Sequence, residues 1–246
     1  MSLEAGMSIE LVDLAFIVIM AVVMPLYGVW DSRRFKARIG AGDAGVKVYI
    51  TTLVVEWSLT FAVAAWWYLA NRDFSTIGLG FETEGWRWWV GGLLAVLASV
   101  FLAVQSLVVL RDPEKTEAMR KQYSSADLMA LIPSNERQTR WWSAVSVTAA
   151  VGEEFRYRGF LMAVLSSLFN PWIALGLSTI AFGLGHLYQG ASGFIKTGFN
   201  GLILGSLYML TGSLWAPILF HFALDLIWGL LMRRVMDAPV LPESAS

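Results

Sequence analysis

The sequence predicts an all-α protein, a polytopic bundle of transmembrane helices. Its 246 residues are 57% hydrophobic and 15% charged, whereas soluble domains are about half apolar and about a quarter charged. The mean hydropathy of the chain is +0.59. Several stretches reach the ~20 predominantly apolar residues that a helix needs to cross a bilayer. We therefore expect an integral membrane protein.

The apolar stretches give the predicted spans in chain order. They cover 9–30, 47–70, 88–110, 142–168 and 172–188, followed by the weaker stretches 194–211 and 215–232. Lys196 and Asn200 make 194–211 the weakest of them, because they leave only a short purely apolar piece. We expect about seven spans, and the weaker stretches allow six to eight.

The distribution of basic residues predicts the orientation of the chain. Lys and Arg concentrate in 31–47 and 111–140, while the alternate connections hold few. Such segments face the cytoplasm, so we expect the N-terminus outside and the C-terminus inside. The chain then divides into N-terminal spans (1–110), a cytoplasmic loop with a short helix (111–140), a C-terminal bundle around a polar cavity (141–234) and a tail (235–246).

The composition excludes some classes of function. A net charge of −1, without a basic run, gives no attraction to nucleic acid. The absence of cysteine excludes a thiolate metal site and a cysteine nucleophile. The expected partners are the lipid bilayer and a membrane-associated ligand or substrate.

Four charged residues interrupt the predicted span 142–168, in the stretch "GEEFRYRGF": Glu153, Glu154, Arg156 and Arg158. A charge at the bilayer centre costs about 2.5–3.5 kcal/mol, while an apolar residue returns roughly 0.3–0.6. The charges must therefore be paired or line a wet cavity. Glu154 and Arg158 are spaced i,i+4 and are expected to pair. A structural salt-bridge cluster would explain this pair but leaves one Glu over.

The two histidines of the chain, His186 in "FGLGH" and His221 in "HFALD", also lie in predicted spans. Phe182 precedes His186 by four residues, so its ring is expected to pack against the imidazole. Asp225 follows His221 by four residues and is expected to hydrogen-bond one ring nitrogen and choose the tautomer.

Two further polar residues lie in predicted spans, Glu56 in the second and Gln105 in the third. Each either lines the cavity or is buried in packing.

These side chains suit the hydrolysis of an amide. A carboxylate in a mostly apolar cavity can take a proton from water and later give it to the leaving amine. A histidine can hold the same water, and a second polar group can donate to the oxyanion. The sequence offers no Gly-x-Ser-x-Gly motif as a competing nucleophile.

Three motifs carry a resemblance to a known family. "EEFRYR" fits Glu-Glu-x-x-x-Arg, "FGLGH" fits Phe-x-x-x-His and "HFALD" fits His-x-x-x-Asn/Asp. In this order they resemble the CPBP (Abi) family of intramembrane endopeptidases, which includes the type II CaaX prenyl proteases. The resemblance covers about residues 130–232.

The resemblance implies a role for each matching residue. Glu153 is the general base that activates water, His186 helps to hold the water, and His221 lies on the oxyanion side with the residue four later. Glu154 and Arg158 support the first motif. The prenyl proteases have Asn where this chain has Asp225, and an ionised Asp cannot donate to an oxyanion. Asp225 is therefore either protonated or the residue that orients His221.

The resemblance leaves the cofactor open. The family was long regarded as metal-dependent, and its prenyl-protease branch is now regarded as metal-free. Glu153, His186 and His221 could ligate zinc, although the sequence contains no His-Glu-x-x-His motif. We favour the metal-free alternative.

Three functions follow from these observations. The favoured one is an intramembrane endopeptidase acting on a membrane-associated peptide or protein. The others are a non-catalytic membrane interaction or bacteriocin-immunity protein, and a transporter or proton pathway, against which the absence of an internal repeat speaks. The bacterial look of the motifs favours a bacterial inner membrane.

Overall fold

A computed structural model describes residues 8–36, 44–80, 85–123 and 132–239. Parts of the predicted cytoplasmic segments, at 37–43 and 124–131, lie outside the described residues, as do positions 240–246 of the predicted tail. Every regular element in the described ranges is helical. The prediction of an all-α helix bundle is confirmed.

The helices are numbered α1 to α10 in chain order. They are α1 (Leu11–Val18), α2 (Met24–Lys36), α3 (Ala44–Leu69), α4 (Trp86–Arg111), α5 (Pro113–Gln122), α6 (Glu136–Glu153), α7 (Met162–Leu168), α8 (Pro171–Gly185), α9 (Gly190–Thr211) and α10 (Trp215–Asp237). Two π-helical segments continue the chain between helices: Ile19–Val23 joins α1 to α2, and Glu154–Leu161 joins α6 to α7. Short 3-10 turns lie at Phe74–Ile77 and Leu187–Gln189.

Four helices within the described ranges are long and apolar enough to cross a membrane: Leu11–Arg34, Gly45–Leu69, Trp86–Arg111 and Trp215–Asp237. They match four of the predicted spans, which identifies an integral membrane protein. The other predicted spans fall on the charged helix from α6 to α7, on α8 with 15 residues, and on α9. The number of seven spans stays a prediction.

Local sequence sets where the site-bearing helices begin. The Asn135 side chain caps α6 by accepting a hydrogen bond from the Gln138 backbone N–H. Asn170 caps α8 in the same way, and Pro171 occupies the first turn, where its missing N–H costs nothing. The short helix predicted within 111–140 is α5, which Asp112 caps.

Polar contacts tie helix ends together at opposite ends of the bundle. Arg72, just after α3, pairs with Asp13 in α1 at 2.6 Å. At the other end, Arg120 of α5 donates to the Val235 carbonyl of α10 at 2.8 Å. The start of α1 and the end of α3 therefore share one side, and α5 and the end of α10 share the other. This agrees with the predicted alternation, while the direction across the membrane stays a prediction.

The charged helix from α6 to α7 lies at the centre of the bundle. Both α3 and α10 pack against α6, and α8 packs against α7 and the π segment. Phe160 is fully buried there, with edge-to-face contacts to Phe16 at 5.8 Å and Trp67 at 6.1 Å. By contrast, the most apolar stretch of α4 is only 6% buried within the protein. The predicted span with the most charge is thus the one enclosed by other helices.

Candidate active site

The central helix widens at the first motif. Helix α6 ends at Glu153, and the eight residues Glu154–Leu161 form the π segment, all of them buried. π-Helical turns are rare and occur frequently at functional sites. Ser178 of α8 donates to the Tyr157 carbonyl in this segment at 2.9 Å, which fixes α8 against it. Nothing in the α-helical spacing of the sequence predicted this widening.

Glu154 is the centre of a closed set of contacts, here called the Glu154 cluster: Glu154, Arg158, His221 and the backbone carbonyl of Gly201. Glu154 Oε1 accepts from Arg158 Nη1 at 2.8 Å and from His221 Nδ1 at 2.7 Å. Arg158 Nη2 donates to the Gly201 carbonyl at 3.0 Å. The Glu154 and Arg158 side chains are 0% and 1% exposed. The predicted i,i+4 pair is confirmed, and α9 and α10 supply the added partners.

Phe182 lies where the second and third motifs meet. Its ring centroid is 4.9 Å from that of His186 and 6.0 Å from that of His221. The Arg158 guanidinium lies 4.3 Å above the same ring, within the range of a cation–π contact. The predicted packing of Phe182 against His186 is confirmed. Phe182 also contacts His221 and Arg158, so it touches residues of all three motifs.

His186 lies at the C-cap of α8, one residue beyond the end of the helix at Gly185. The prediction of a span continuing to 188 therefore places this residue wrongly within a helix. His186 Nδ1 lies 3.0 Å from the Phe182 carbonyl. Because a carbonyl oxygen only accepts, Nδ1 carries the proton of that bond, and in the neutral ring Nε2 is left as an acceptor.

Glu153 differs from its neighbour in that its carboxylate accepts no hydrogen bond within the described residues, whereas Glu154 accepts two at Oε1 and leaves only its Oε2 unpaired. The Oε2 atom of Glu153 is buried and makes no hydrogen bond within the described part of the chain. His221 Nε2 lies 3.9 Å from this oxygen. Arg156, three residues later, pairs with Glu56 of α3 instead. The sequence prediction that pairing leaves one Glu over is confirmed, and that residue is Glu153.

Asp225 faces the His221 ring as predicted, but as an ion pair and not through the predicted hydrogen bond. Asp225 Oδ2 lies 3.6 Å from His221 Nε2, which is longer than a hydrogen bond. Glu154 holds the other ring nitrogen and so selects the tautomer. Glu154 lies on another helix, so spacing within α10 could not reveal it. The backbone carbonyl of Asp225 accepts a hydrogen bond from Trp142 Nε1 at 2.9 Å, which fixes α10 to α6.

The predicted site residues converge on one side of the central helix. Glu153, Asp225 and His186, together with the Nε2 edge of His221, are here called the Glu153 cluster. His186 joins it through Phe182, whose ring contacts both imidazoles, with centroids 4.9 Å from His186 and 6.0 Å from His221. No hydrogen bond or ion pair joins His186 to Glu153 in the described residues. Asp225 is the most open member, with its side chain 36% exposed.

The three predicted zinc ligands do not form a metal site in this arrangement. The described residues contain no group of three or more His, Cys, Asp or Glu side chains placed to hold a metal ion. Glu153, His186 and His221 therefore do not fit zinc as they are positioned, and no catalytic step below passes through a metal.

A cavity of about 300 Å³ lies beside the site, between α6 and α10. It is lined by Val147, Ala150, Val151, Trp215, Ile218, Leu219 and Phe222. These walls are apolar, and none of the predicted site residues is among them. The predicted polar cavity between the C-terminal helices stays a prediction.

Sequence reasoning did not identify the partner of Arg156. The sequence predicts Glu56 only as a polar residue of the second span, although it is the one acidic residue in 47–70. The absence of another charged partner in this span was the signal that could have identified the pair, because a single acidic residue in a span needs a cation from another helix. Gln105, a polar residue of the third predicted span, is exposed on α4 and joins neither cluster.

The fold and the site together define a class: an integral membrane protein with ionisable residues gathered inside its helix bundle. Residues 135–227 match the family model described as type II CAAX prenyl endopeptidase, Rce1-like. The matched segment runs from the cap of α6 into α10 and contains every residue of the three motifs. The match confirms the resemblance seen in the motifs and supports a CAAX-type membrane protease in general terms. No curated protein and no solved structure matches the chain.

Proposed function

We propose that the protein is an intramembrane endopeptidase that hydrolyses a peptide bond of a membrane-associated peptide or protein, with Glu153 activating the water. One observation carries the proposal. The Oε2 atoms of Glu153 and Glu154 are both buried and unpaired, but Glu154 is held by two hydrogen bonds at Oε1, whereas the Glu153 carboxylate accepts none within the described residues. A general base needs a free oxygen that faces the reactants.

The first step is the activation of water. The Glu153 carboxylate takes a proton from water, and the resulting hydroxide attacks the carbonyl carbon of the substrate. His186 supports this step because its Nδ1 is committed to the Phe182 carbonyl. Its Nε2 can then accept a hydrogen bond from the same water and orient it.

The second step is the stabilisation of the tetrahedral oxyanion. His221 donates from Nδ1 to Glu154, so a proton on Nε2 as well makes the ring an imidazolium with one donor free. Oxygens of Glu153, Glu154 and Asp225 all lie within 4 Å of the ring and stabilise this positive charge by Coulomb attraction. His221 is therefore the oxyanion donor, and Asp225 need not donate.

The last step returns the proton. Protonated Glu153 gives its proton to the leaving nitrogen as the carbon–nitrogen bond breaks, which yields a carboxylic acid and an amine and restores the base; the acid then passes its proton to the amine. Glu154 and Arg158 do not touch the substrate in this scheme. They hold His221, and through the Gly201 carbonyl they fix α9 and α10 around it.

The test compares new protein N-termini, by mass spectrometry, in membranes of cells that produce the wild type, Glu153→Gln or Glu136→Gln at matched levels. Glu136 lies on the same helix, and its side chain is 82% exposed in an ion pair with Arg140, so its removal is the control. We expect cleavage products with the wild type and with Glu136→Gln. Loss of the general base should reduce them by about 10²- to 10⁴-fold.

A prenylated peptide ending in a Cys-a-a-X sequence is the second substrate to try, because the matching family model is described as a prenyl endopeptidase. Purified protein that releases the three-residue tail would place the substrate in that class. Identical N-termini in the wild-type and Glu153→Gln membranes, together with an intact prenylated peptide, would contradict the proposal and favour a non-catalytic interaction protein.

We also propose a bacterial inner membrane with the N-terminus outside and the C-terminus in the cytoplasm. The chain has no cysteine, so single introduced cysteines report sidedness without background. In intact cells, a membrane-impermeant maleimide should label Ser75→Cys, which follows α3, and spare Ser134→Cys, which precedes α6. The reverse pattern would invert the proposed orientation.

A further inference from the structure

Glu56 places a carboxylate near the middle of α3, in a helix apolar enough to cross the membrane. Its side chain is 14% exposed and pairs with Arg156, which is 3% exposed. An intramembrane charge is costly and usually serves a function. Glu56 also lies outside residues 135–227, the segment that matches the protease family.

Helix α3 lies in close contact with the central helix beside the predicted base. A Cβ atom built on Gly152 would lie 2.7 Å from Thr60 Oγ1 and 3.8 Å from Glu56 Oε2. Gly152 immediately precedes Glu153. Any larger residue there would clash with Thr60, so the close packing of α3 against the central helix requires a glycine. Trp57 adds a second contact between the helices by donating to Thr148 at 3.0 Å. Glu56 is therefore held at a fixed position next to Glu153.

Arg156 is the element that joins Glu56 to the site. Its Nε atom donates to the Gly152 carbonyl at 3.0 Å, and its Nη2 atom pairs with Glu56. Arg156 lies in the π segment, and its bond to the Gly152 carbonyl holds the guanidinium beside the residue that immediately precedes Glu153. The charges of Arg156 and Glu153 attract each other, and those of Glu56 and Glu153 repel. Glu56 therefore competes with Glu153 for the same guanidinium.

We infer that Glu56 is a positioning residue that keeps Arg156 from pairing with Glu153, so that the N-terminal spans take part in the catalytic site. This inference rests on the proposed role of Glu153 as the base. A carboxylate locked in a salt bridge with Arg156 would be a poor acceptor for the proton of water. Other charges around Glu153 come from Glu154 on the central helix and from His221 and Asp225 on α10, and His186 lies at the end of α8.

A charge cycle tests the inference. In Glu56→Gln the guanidinium loses its partner and turns to Glu153, so we expect kcat to fall by about tenfold, within the range of couplings between contacting residues. In Glu56→Gln with Arg156→Gln no guanidinium remains to capture Glu153, and kcat should recover most of that loss. A merely structural role for Glu56 predicts a double variant no better than the single one.

A second readout does not depend on catalysis. Dicyclohexylcarbodiimide, an apolar reagent that modifies protonated carboxyl groups, should label Glu153 in the wild type, less in Glu56→Gln, and again in the double variant. Peptide mass spectrometry assigns the labelled residue. The control is Asp13→Asn, which breaks the other buried ion pair of an N-terminal span, with Arg72. It should leave both the labelling of Glu153 and the kcat of folded protein unchanged.

Each outcome decides one question. Glu153 labelling that is unchanged in Glu56→Gln, or reduced but not restored in the double variant, would overturn the positioning role. Peptidase activity that survives Glu153→Gln would overturn the proposed mechanism, while the labelling still reports on Glu56. Labelling and kcat that fall and recover together would establish that α3 contributes to the site.

Discussion

The Glu154 cluster and the Glu153 cluster lie on consecutive residues of one helix, yet they satisfy their charges in opposite ways. Every charged side chain of the Glu154 cluster has a hydrogen-bonded partner, and Glu154 and Arg158 are sealed from the surface. In the Glu153 cluster, His221 Nε2 lies 3.9 Å from Glu153 Oε2 and 3.6 Å from Asp225 Oδ2, and both distances are longer than a hydrogen bond. The first arrangement suits a support, and the second suits a site that must receive water and substrate.

The difference follows from what surrounds each carboxylate. A buried ion that loses one partner leaves an uncompensated charge, so a closed cluster resists change. A site with unpaired groups gives up that stability, and proteins accept such a loss mainly where function requires it. His221 belongs to both regions through its two nitrogens, and so it transmits the rigidity of the closed cluster to the open one.

The largest effect on folding is expected from Glu154→Gln. This change leaves Arg158 buried with its charge uncompensated, which should lower the free energy of unfolding by about 3–5 kcal/mol. Thermal unfolding and size-exclusion profiles in detergent measure it. Glu136→Gln removes an exposed i,i+4 pair of the same helix, with N–O at 4.0 Å, and should change stability by less than about 1 kcal/mol. Equal stability of the two variants would erase the distinction between the regions.

The next effect is expected from His221→Gln, because this residue serves both clusters. Loss of the oxyanion donor should reduce kcat by about 10²- to 10³-fold. Loss of the charged hydrogen bond to Glu154 should also reduce stability by about 1.5–3 kcal/mol. Steady-state kinetics and unfolding of the same preparation separate the two losses. A variant with wild-type kcat would remove His221 from the oxyanion side.

A smaller effect is expected from Gly201→Ala. A Cβ atom there would lie 3.0 Å from Phe182 Cδ1 and 3.4 Å from Arg158 Nη2, so the closed cluster would have to shift, at a cost of about 1–3 kcal/mol. Gly198→Ala is the matched control on α9, because its Cβ would meet only Gly183 Cα at 4.0 Å. The control should be neutral or gain up to about 1 kcal/mol of helix propensity. Thermal unfolding measures both variants, and equal stability of Gly201→Ala and Gly198→Ala would contradict tight packing at Gly201.

The smallest effect is expected from Asp225→Asn. Its carboxylate makes no hydrogen bond to His221 and its side chain is 36% exposed, so stability should change by less than about 1 kcal/mol. We expect the activation free energy of the reaction to change by a similarly small amount, which alters kcat by no more than about fivefold. A loss of a hundredfold or more would show that the charge of Asp225 is required, and would restore it to the oxyanion side of the site.

Much of the fold could be predicted from composition and local pattern. The four apolar helices Leu11–Arg34, Gly45–Leu69, Trp86–Arg111 and Trp215–Asp237 follow the apolar runs, because a bilayer selects for length and hydropathy alone. The end of α8 at Gly185 was missed. Helix ends depend on capping and on neighbouring helices, and apolar residues continue past this end without marking it.

The site was predictable where the relevant residues share one helix. The pairs Glu154–Arg158 and Phe182–His186 follow from i,i+4 spacing. The sequence predicts Asp225 as a partner of His221, which it contacts as an ion pair, but not Glu154, which is 67 residues away in the chain and holds the other ring nitrogen. Glu56 is 100 residues from Arg156, and no local pattern connects them.

The sequence by itself determined that the protein is helical and membrane-embedded, that its central helix carries more charge than lipid tolerates, and that one glutamate must remain without a local partner. The i,i+4 spacing of Glu154 and Arg158 already indicates Glu153, and only the tertiary structure decided that Arg156 pairs with Glu56. Side-chain spacing fixes neighbours on one helix, but a buried charge takes its partner from whichever helix packs against it. Here α10 and the π segment supply the two hydrogen bonds to Glu154, while α3 occupies Arg156, so the Glu153 carboxylate is left without a hydrogen bond within the described residues.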